Sequence, residues 1–213
     1  GLVGYFPLNG TPQDASGNNN HGSALAGVSG ATDRFGNANM AIQTDGGVNG
    51  RVTWANAIAD GWFNGRTTAS VSIWVKPLVV ENANTKAFFE YSSSRFGVEG
   101  RTGGGQVVQY YTNNENANKL PFTLDVGTWN HVVIVVDGTR KKVYKNGVVV
   151  GDAAFTAALL GSAPFAVGGR GNANDNTNSA FDDLLIYNRA LTAEEVGLIF
   201  SGSTSGSSGS VLK

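Results

Sequence analysis

The 213-residue chain contains no cysteine. Disulfides, thiolate metal sites and a thiol nucleophile are thereby excluded. Charge is sparse too. Aspartate, glutamate, lysine and arginine make up 15% of residues, and 16 acids against 15 bases leave a net charge of −1. So balanced a chain has no electrostatic footprint for nucleic acid or for an anionic membrane surface. No apolar run approaches the roughly 18 residues of a membrane span. Neither a methionine nor a signal peptide precedes GLVGYF, so a piece of a longer protein is expected. Proline is scarce at 5, whereas glycine is abundant at 30 and hydrophobic residues reach 41%. That balance permits a sizeable core, and the length is normal for one all-β sandwich.

The periodic signal is β nearly throughout. LVGYFPL, MAIQT, RVTWA, SVSIWVKPLVV, KAFFEYS, RFGVEGR, QVVQYYT, HVVIVVDG, KKVYKNG, VVVGDAAF, PFAVGG and FDDLLIYNR all read as strands bounded by Gly, Asn, Asp or Ser. Asn146-Gly147 is a preferred two-residue hairpin turn, because both central positions need positive φ. Asp137-Gly138 marks another turn of the same meander. HVVIVV is apolar on both faces and suits a central strand covered on both sides. Near the C-terminus, Thr192 followed by Glu195 forms a capping box ahead of VGLIF and predicts a short helix. WANAIADGWFNG at 54–65 holds a helical turn at most. SGSTSGSSGSVLK at 201–213 reads as a flexible Ser/Gly linker or tag behind a domain at 1–200. No internal repeat is seen. Short strands with Gly-rich turns argue for two antiparallel sheets packed face to face.

One early loop stands out. PQDASGNNNHG at 12–22 gathers Asp14, Asn18, Asn19, Asn20 and His21 around Ser16 and Gly17. Two readings fit it. A hard cation such as calcium wants six to eight oxygens, which a Gly-broken Asp/Asn loop offers within one turn. Alternatively, Asp and Asn bond their own backbone in a cluster of Asx turns.

An ordered set of segments resembles a known family. GLVGYFPLNG, DASGNNNHG, ATDRFGNANMAIQTDGG, SVSIWVKP, GTWNHVVIVVDGTRKKVYKNGVVVG, PFAVGGR and FDDLLIYNRALTAEEV run, from residue 1 to about 200, as in the bacterial form of the laminin-G-like, concanavalin-A-like jelly rolls. The resemblance implies an all-β, two-sheet antiparallel jelly roll with one short C-terminal helix. It also implies a structural calcium ion, Ca2+, in many members. In such domains the loop matching DASGNNNHG lies near the aspartate of the segment matching FDDLLIYNR. Asp14 and Asp182 are therefore the expected side-chain ligands, with Asn18 or Asn20 and backbone carbonyls near Asn20 and Gly22 completing the shell. Carbohydrate binding or adhesion, on a secreted or surface protein, is the usual role. The expected partners are a polysaccharide or cell-surface glycan and other domains of the same chain. A spacer or protein-interaction module of a large adhesin is the alternative, and a minority of relatives cleave glycans.

Catalysis finds little support in the residues. A glycosidase needs two carboxylates roughly 5–9 Å apart, and the E-x-D-x-x-E pattern of laminarinase-type relatives is absent. Glu90 and Glu99 are the strand-borne glutamates, with Arg95 and Arg101 close enough in sequence to pair with them. Lyase relatives set Gln or His with Tyr on the concave sheet, but QYY at 109–111 has no accompanying His. His21 lies in the polar loop, and His131 begins a motif strand. GGRGNAN at 168–174 lacks the strand and helix of a dinucleotide site. For sugar binding, Trp74 and Trp129 are expected in the core, while one of Trp54 and Trp62, set in a polar loop, is the candidate stacking platform. Core packing is the competing expectation for both. Tyr110 and Tyr111 must point to opposite faces. Rim loops at 112–119 and 170–179 could bring Tyr91, Arg95, Arg170, Asn113, Asn114, Asn172 and Asp175 together with one of those tyrosines. The bland alternative is that Asn-rich loops are solvated turns.

Overall fold

The computed structural model of the chain describes residues 1–80, 86–91, 96–100, 107–113, 119–171 and 175–202. In chain order the elements are β1 (Leu2–Phe6), β2 (Ser23–Ala24), β3 (Val28–Ala31), β4 (Ala41–Asp45), β5 (Val52–Trp54), α1 (Asn56–Phe63), β6 (Thr68–Pro77) and β7 (Ala87–Tyr91). They continue with β8 (Phe96–Gly100), β9 (Val107–Thr112), β10 (Leu120–Thr123), β11 (Asn130–Asp137), β12 (Arg140–Lys145), β13 (Val148–Ala154), β14 (Phe165–Val167), β15 (Asn178–Tyr187) and α2 (Ala193–Ser201). One sheet runs β13-β12-β11-β6-β15-β4-β3, with β1 added beside β15; the other runs β10-β9-β8-β7-β14-β5-β2. The named strand pairs are all antiparallel. This is the jelly-roll sandwich that the sequence predicts.

Alternation along the strands builds the core between the sheets. Val71, Ile73, Val75, Val132, Ile134, Val136 and Phe181 face Val52, Trp54, Phe89, Tyr91, Phe96, Val98, Tyr110 and Phe165. The helix α1 forms without a side-chain cap and adds Ala59, Trp62 and Phe63 to that core. Its rings meet at Phe165, whose centroid lies 5.5 Å from Trp54, 6.2 Å from Trp62 and 5.7 Å from Phe63.

The central strand β11 is indeed covered on both faces. Val133 and Val135 join Tyr144, Leu185, Tyr187, Leu191 and Val196 in a second apolar cluster beneath α2. The capping box is present: Thr192 Oγ1 accepts from the Glu195 amide at 3.2 Å, and Glu195 Oε2 accepts from the Thr192 amide at 2.8 Å. Arg189 grips the same carboxylate with two bonds of 2.8 and 2.7 Å. The Asn146-Gly147 turn takes φ of 51° and 80°, as a type I′ hairpin requires. Of the expected tail, residues 203–213 lie outside the described residues. Among the described residues no helix is long and apolar enough to cross a membrane.

Candidate functional site

With α2 over one sheet, the face that the other sheet turns away from the core carries the candidate site. Its register sets Thr53, Ala166, Glu90, Gly97 and Tyr111 in one row across β5, β14, β7, β8 and β9. Glu99, Gln109 and Pro121 form the next row. Gly97 sits between Glu90 and Tyr111, and a Cβ there would collide with the Phe89 carbonyl and the Glu90 backbone. Because that position is bare, the Tyr111 hydroxyl reaches over it and donates to Glu90 Oε2 at 2.6 Å.

Arg170 gathers the acids of this face. Its guanidinium lies 3.4 Å from Glu90 Oε2, 2.8 Å from Glu99 Oε2 and 3.2 Å from Asp175 Oδ2. Glu99 Oε1 also accepts from Gln109 at 2.9 Å and from Lys119 at 3.1 Å. Glu90, Glu99 and Tyr111 are buried beneath this network, whereas Gln109, Lys119, Arg170 and Asp175 reach its surface. Burial opposes the charge on Arg170, but the surrounding acids hold its pKa above the ordinary value. Burial, followed by Glu90 and Glu99, pushes Tyr111 far up, so its phenol is a neutral donor.

These facts bear on chemistry. The two strand-borne glutamates are joined through one arginine, which leaves neither poised as a free acid or base. A partner of both is Arg170, 80 residues beyond Glu90 and 71 beyond Glu99; Arg95 and Arg101, the expected partners, lie outside the described residues, as do Asn114 and Asn172. Neither histidine belongs to this face. His21 Nδ1 accepts from the Asp14 amide at 3.0 Å. His131 Nε2 meets Ser72 Oγ at 2.9 Å, its ring 5.0 Å from that of Trp74 and 5.8 Å from that of Phe200 on α2.

For Trp54 and Trp62 core packing is the reading that the structure shows, whereas Trp74 and Trp129 depart from theirs. Trp62, the candidate platform, is 3% exposed, and Trp54 is fully buried; both pack into the core around Phe6 and Phe165. The polar look of WANAIADGWFNG hid a helix whose apolar side carries Trp62 inward. Trp74 and Trp129, expected in the core, are instead half-buried. Tyr91 and Tyr110 also point into the core. The Tyr91 hydroxyl is 2.7 Å from Asp60 Oδ1 and 2.9 Å from the Gly161 carbonyl. Asn113 donates to the Ala158 carbonyl at 2.8 Å and accepts from the Leu160 amide at 3.0 Å. Tyr91 and Asn113 thus fasten the loop between β13 and β14. Of the expected ligand set, the structure brings Tyr111, Arg170 and Asp175 together. Gln109 and Lys119 complete the group; Gln109 was legible as the outward neighbour of Tyr110, whereas nothing in the sequence marked Lys119.

The expected calcium ligands are placed differently from one shared shell. Asp14 Oδ1 accepts from the amides of Tyr5 at 3.1 Å and Ser16 at 2.9 Å, and Oδ2 from the amide of Asn20 at 2.9 Å. Burial opposes this charge, yet bonds from Ser16, Asn20 and Tyr5 hold the Asp14 carboxyl below its usual range. Asn18 and Asn20 turn their NH2 groups to the Val3 carbonyl, at 3.3 and 2.9 Å. The Gly22 amide donates to the Pro12 carbonyl at 2.9 Å. Asp182, in contrast, sits against Arg34 at 2.6 Å. Burial and the Asp183 carboxylate push Asp182 up to about 7, with Arg34 pulling the other way. A carboxylate already fitted to a guanidinium does not suit a divalent cation, so these residues do not fit a calcium shell shared by Asp14 and Asp182. Among the described residues no group of three or more Asp, Glu or His side chains could hold a metal ion.

Comparison with known proteins adds a family and a set of like folds. The family model described as the concanavalin A-like lectin/glucanases superfamily matches residues 44–197. No curated protein matches the sequence. Domain 4 of AbnA, a GH43 extracellular arabinanase from Geobacillus stearothermophilus solved with arabinotriose, superposes with a TM-score of 0.70 at 23% identity, covering 92% of this chain and 96% of that one. The binding domain of Paraclostridial Mosquitocidal Protein 1 gives 0.74 at 17% identity, covering 94% of this chain and 52% of that one. A botulinum neurotoxin type C structure, whose cell entry depends on two ganglioside molecules, gives 0.68 at 16%, covering 94% and 51%. This chain therefore spans about half the length of those toxin chains.

Proposed function

The chain belongs to the concanavalin A-like lectin/glucanases superfamily, and on that premise we propose that it is a non-catalytic carbohydrate-binding module of a secreted or cell-surface protein. The observation that carries this is the polar face built by β7, β8 and β9. Gln109, Arg170, Asp175 and Lys119 offer fixed planar and charged groups suited to paired sugar hydroxyls, held in place by a buried network. The same network favours binding over cleavage, because Arg170 occupies both glutamates. The arabinotriose held by the arabinanase domain makes neutral oligosaccharides the first ligands to try.

The test is retention on a panel of polysaccharides, arabinan included, followed by calorimetry with oligosaccharides. Gln109→Ala and Asp175→Ala should each weaken binding by about tenfold, the value of one lost hydrogen bond of about 1.4 kcal/mol, with only a small fall in melting temperature, since Lys119 and Arg170 still hold Glu99. Retention unaffected by either variant would remove this face from the proposal, and steady release of reducing ends would point to an enzyme.

One observation favours a protein partner instead. The edge strand β13 exposes Val148, Val149 and Val150 at 65%, 45% and 41%. An exposed apolar edge is a ready surface for another chain. Absence of retention on every polysaccharide would leave that role standing.

A further inference from the structure

Asp182 and Asp183 are consecutive residues of β15, and consecutive strand residues ordinarily point to opposite faces. Here they share one cation. The register of β15 against β6 shifts between Asp182 and Leu185, and Asp183 takes a φ of 44°. Such a bulge re-aims side chains, and it lets both carboxylates reach Arg34. One terminal nitrogen lies 2.6 Å from Asp182 Oδ2 and the other 2.7 Å from Asp183 Oδ2. The guanidinium is also stacked, 4.4 Å from the ring centre of Phe35 and 4.8 Å from that of Trp74. Tyr5 of β1 closes the group by donating its hydroxyl to Asp183 Oδ1 at 3.2 Å. The loop that carries Arg34, between β3 and β4, is itself fixed: Asp33 Oδ1 accepts from the amides of Phe35 and Asn37, both at 2.8 Å.

Arg34, from the 32–40 loop, therefore meets β6 and β15 directly, and β1 through Asp183. We propose that Arg34 is the cation that fastens this end of the sandwich, and that neither Asp14 nor Asp182 holds calcium there. A planar fork beside two aromatic rings matches two carboxylates in a way that a spherical ion does not. A divalent ion at Asp182 would have to displace the guanidinium or sit beside its charge. The loop around Asp14 needs no ion either, since backbone amides supply its counter-dipoles.

The test is thermal unfolding of the full chain in excess calcium and in chelator, for wild type, Arg34→Gln, Arg34→Lys and Asp182→Asn. Wild type should melt at the same temperature in both buffers. Arg34→Gln should melt about 5–10 °C lower in both, as expected for a largely buried ion pair broken on one side. Arg34→Lys, which keeps the charge but loses the fork, should fall between the two and stays informative should the Gln variant not fold. A rise of several degrees with calcium, abolished by Asp182→Asn, would overturn the proposal. So would an Arg34→Lys protein as stable as wild type.

Discussion

Replacing Arg170 with methionine keeps most of the volume and removes the charge from the centre of the polar face. Glu90 is fully buried and Glu99 is 3% exposed, so both would be left desolvated next to each other's strand. Breaking a buried ion pair from one side costs about 3–5 kcal/mol. The lower end applies here: Lys119 still faces Glu99 at 3.1 Å, and Asp175, with 28% of its side chain exposed, is already well hydrated. A loss of about 3 kcal/mol at neutral pH is therefore expected in urea unfolding. Adding Glu90→Gln should recover part of the loss, because the amide oxygen can still accept from Tyr111. A loss below about 1 kcal/mol would refute the picture of one arginine neutralising a buried acid pair.

Two further outcomes follow from the polar contacts. Asp14→Ala removes the acceptor for three backbone amides and should destabilise by about 1–2 kcal/mol, by the same amount in calcium and in chelator; equilibrium unfolding in the two buffers checks this. His131 and Asp182 should give opposite pH slopes. Burial and then Arg34 push His131 down to about 3, so its contribution is present above its unfolded value near 6.5 and fades as pH falls toward 3. Asp182, up at about 7, contributes below its unfolded value near 3.9 and loses that contribution as pH rises through 7. His131→Gln should therefore gain on wild type, by up to about 1.4 kcal/mol per pH unit, as pH drops from 6.5 to 4. Parallel stability curves for the two proteins would refute this assignment.

The frame was open to reading because it depends on local signals. Asn146-Gly147 demands positive φ, Thr192 and Glu195 reciprocate within one turn, and HVVIVV has no polar side to show to solvent. β2, β3 and β10 were not legible: SA, VSGA and LPFT carry too little apolar pattern and exist because longer neighbours pair with them. The site divides the same way. Tyr111 and Arg170 were marked by strand alternation and by a polar rim loop. That Arg170 reaches Glu90 and Glu99 is a contact across some seventy residues, which spacing cannot show. Flanking polarity kept exposure of Trp54 or Trp62 open beside core packing, and it took a helix to turn Trp62 inward from a polar segment. The Arg34 contact was hidden for another reason: it needs a bulge at Asp183, and nothing in FDDLLIYNR distinguishes a bulged strand from a regular one.

The clamped position of β11 has a consequence for motion. Val132, Ile134 and Val136 belong to the core between the sheets, and Val133 and Val135 to the cluster under α2. Opening this strand means breaking both clusters at once, so its amides should exchange with solvent only when the whole domain unfolds. The hairpin at Asn146-Gly147 and the Ser72–His131 contact are tied to that slow clock.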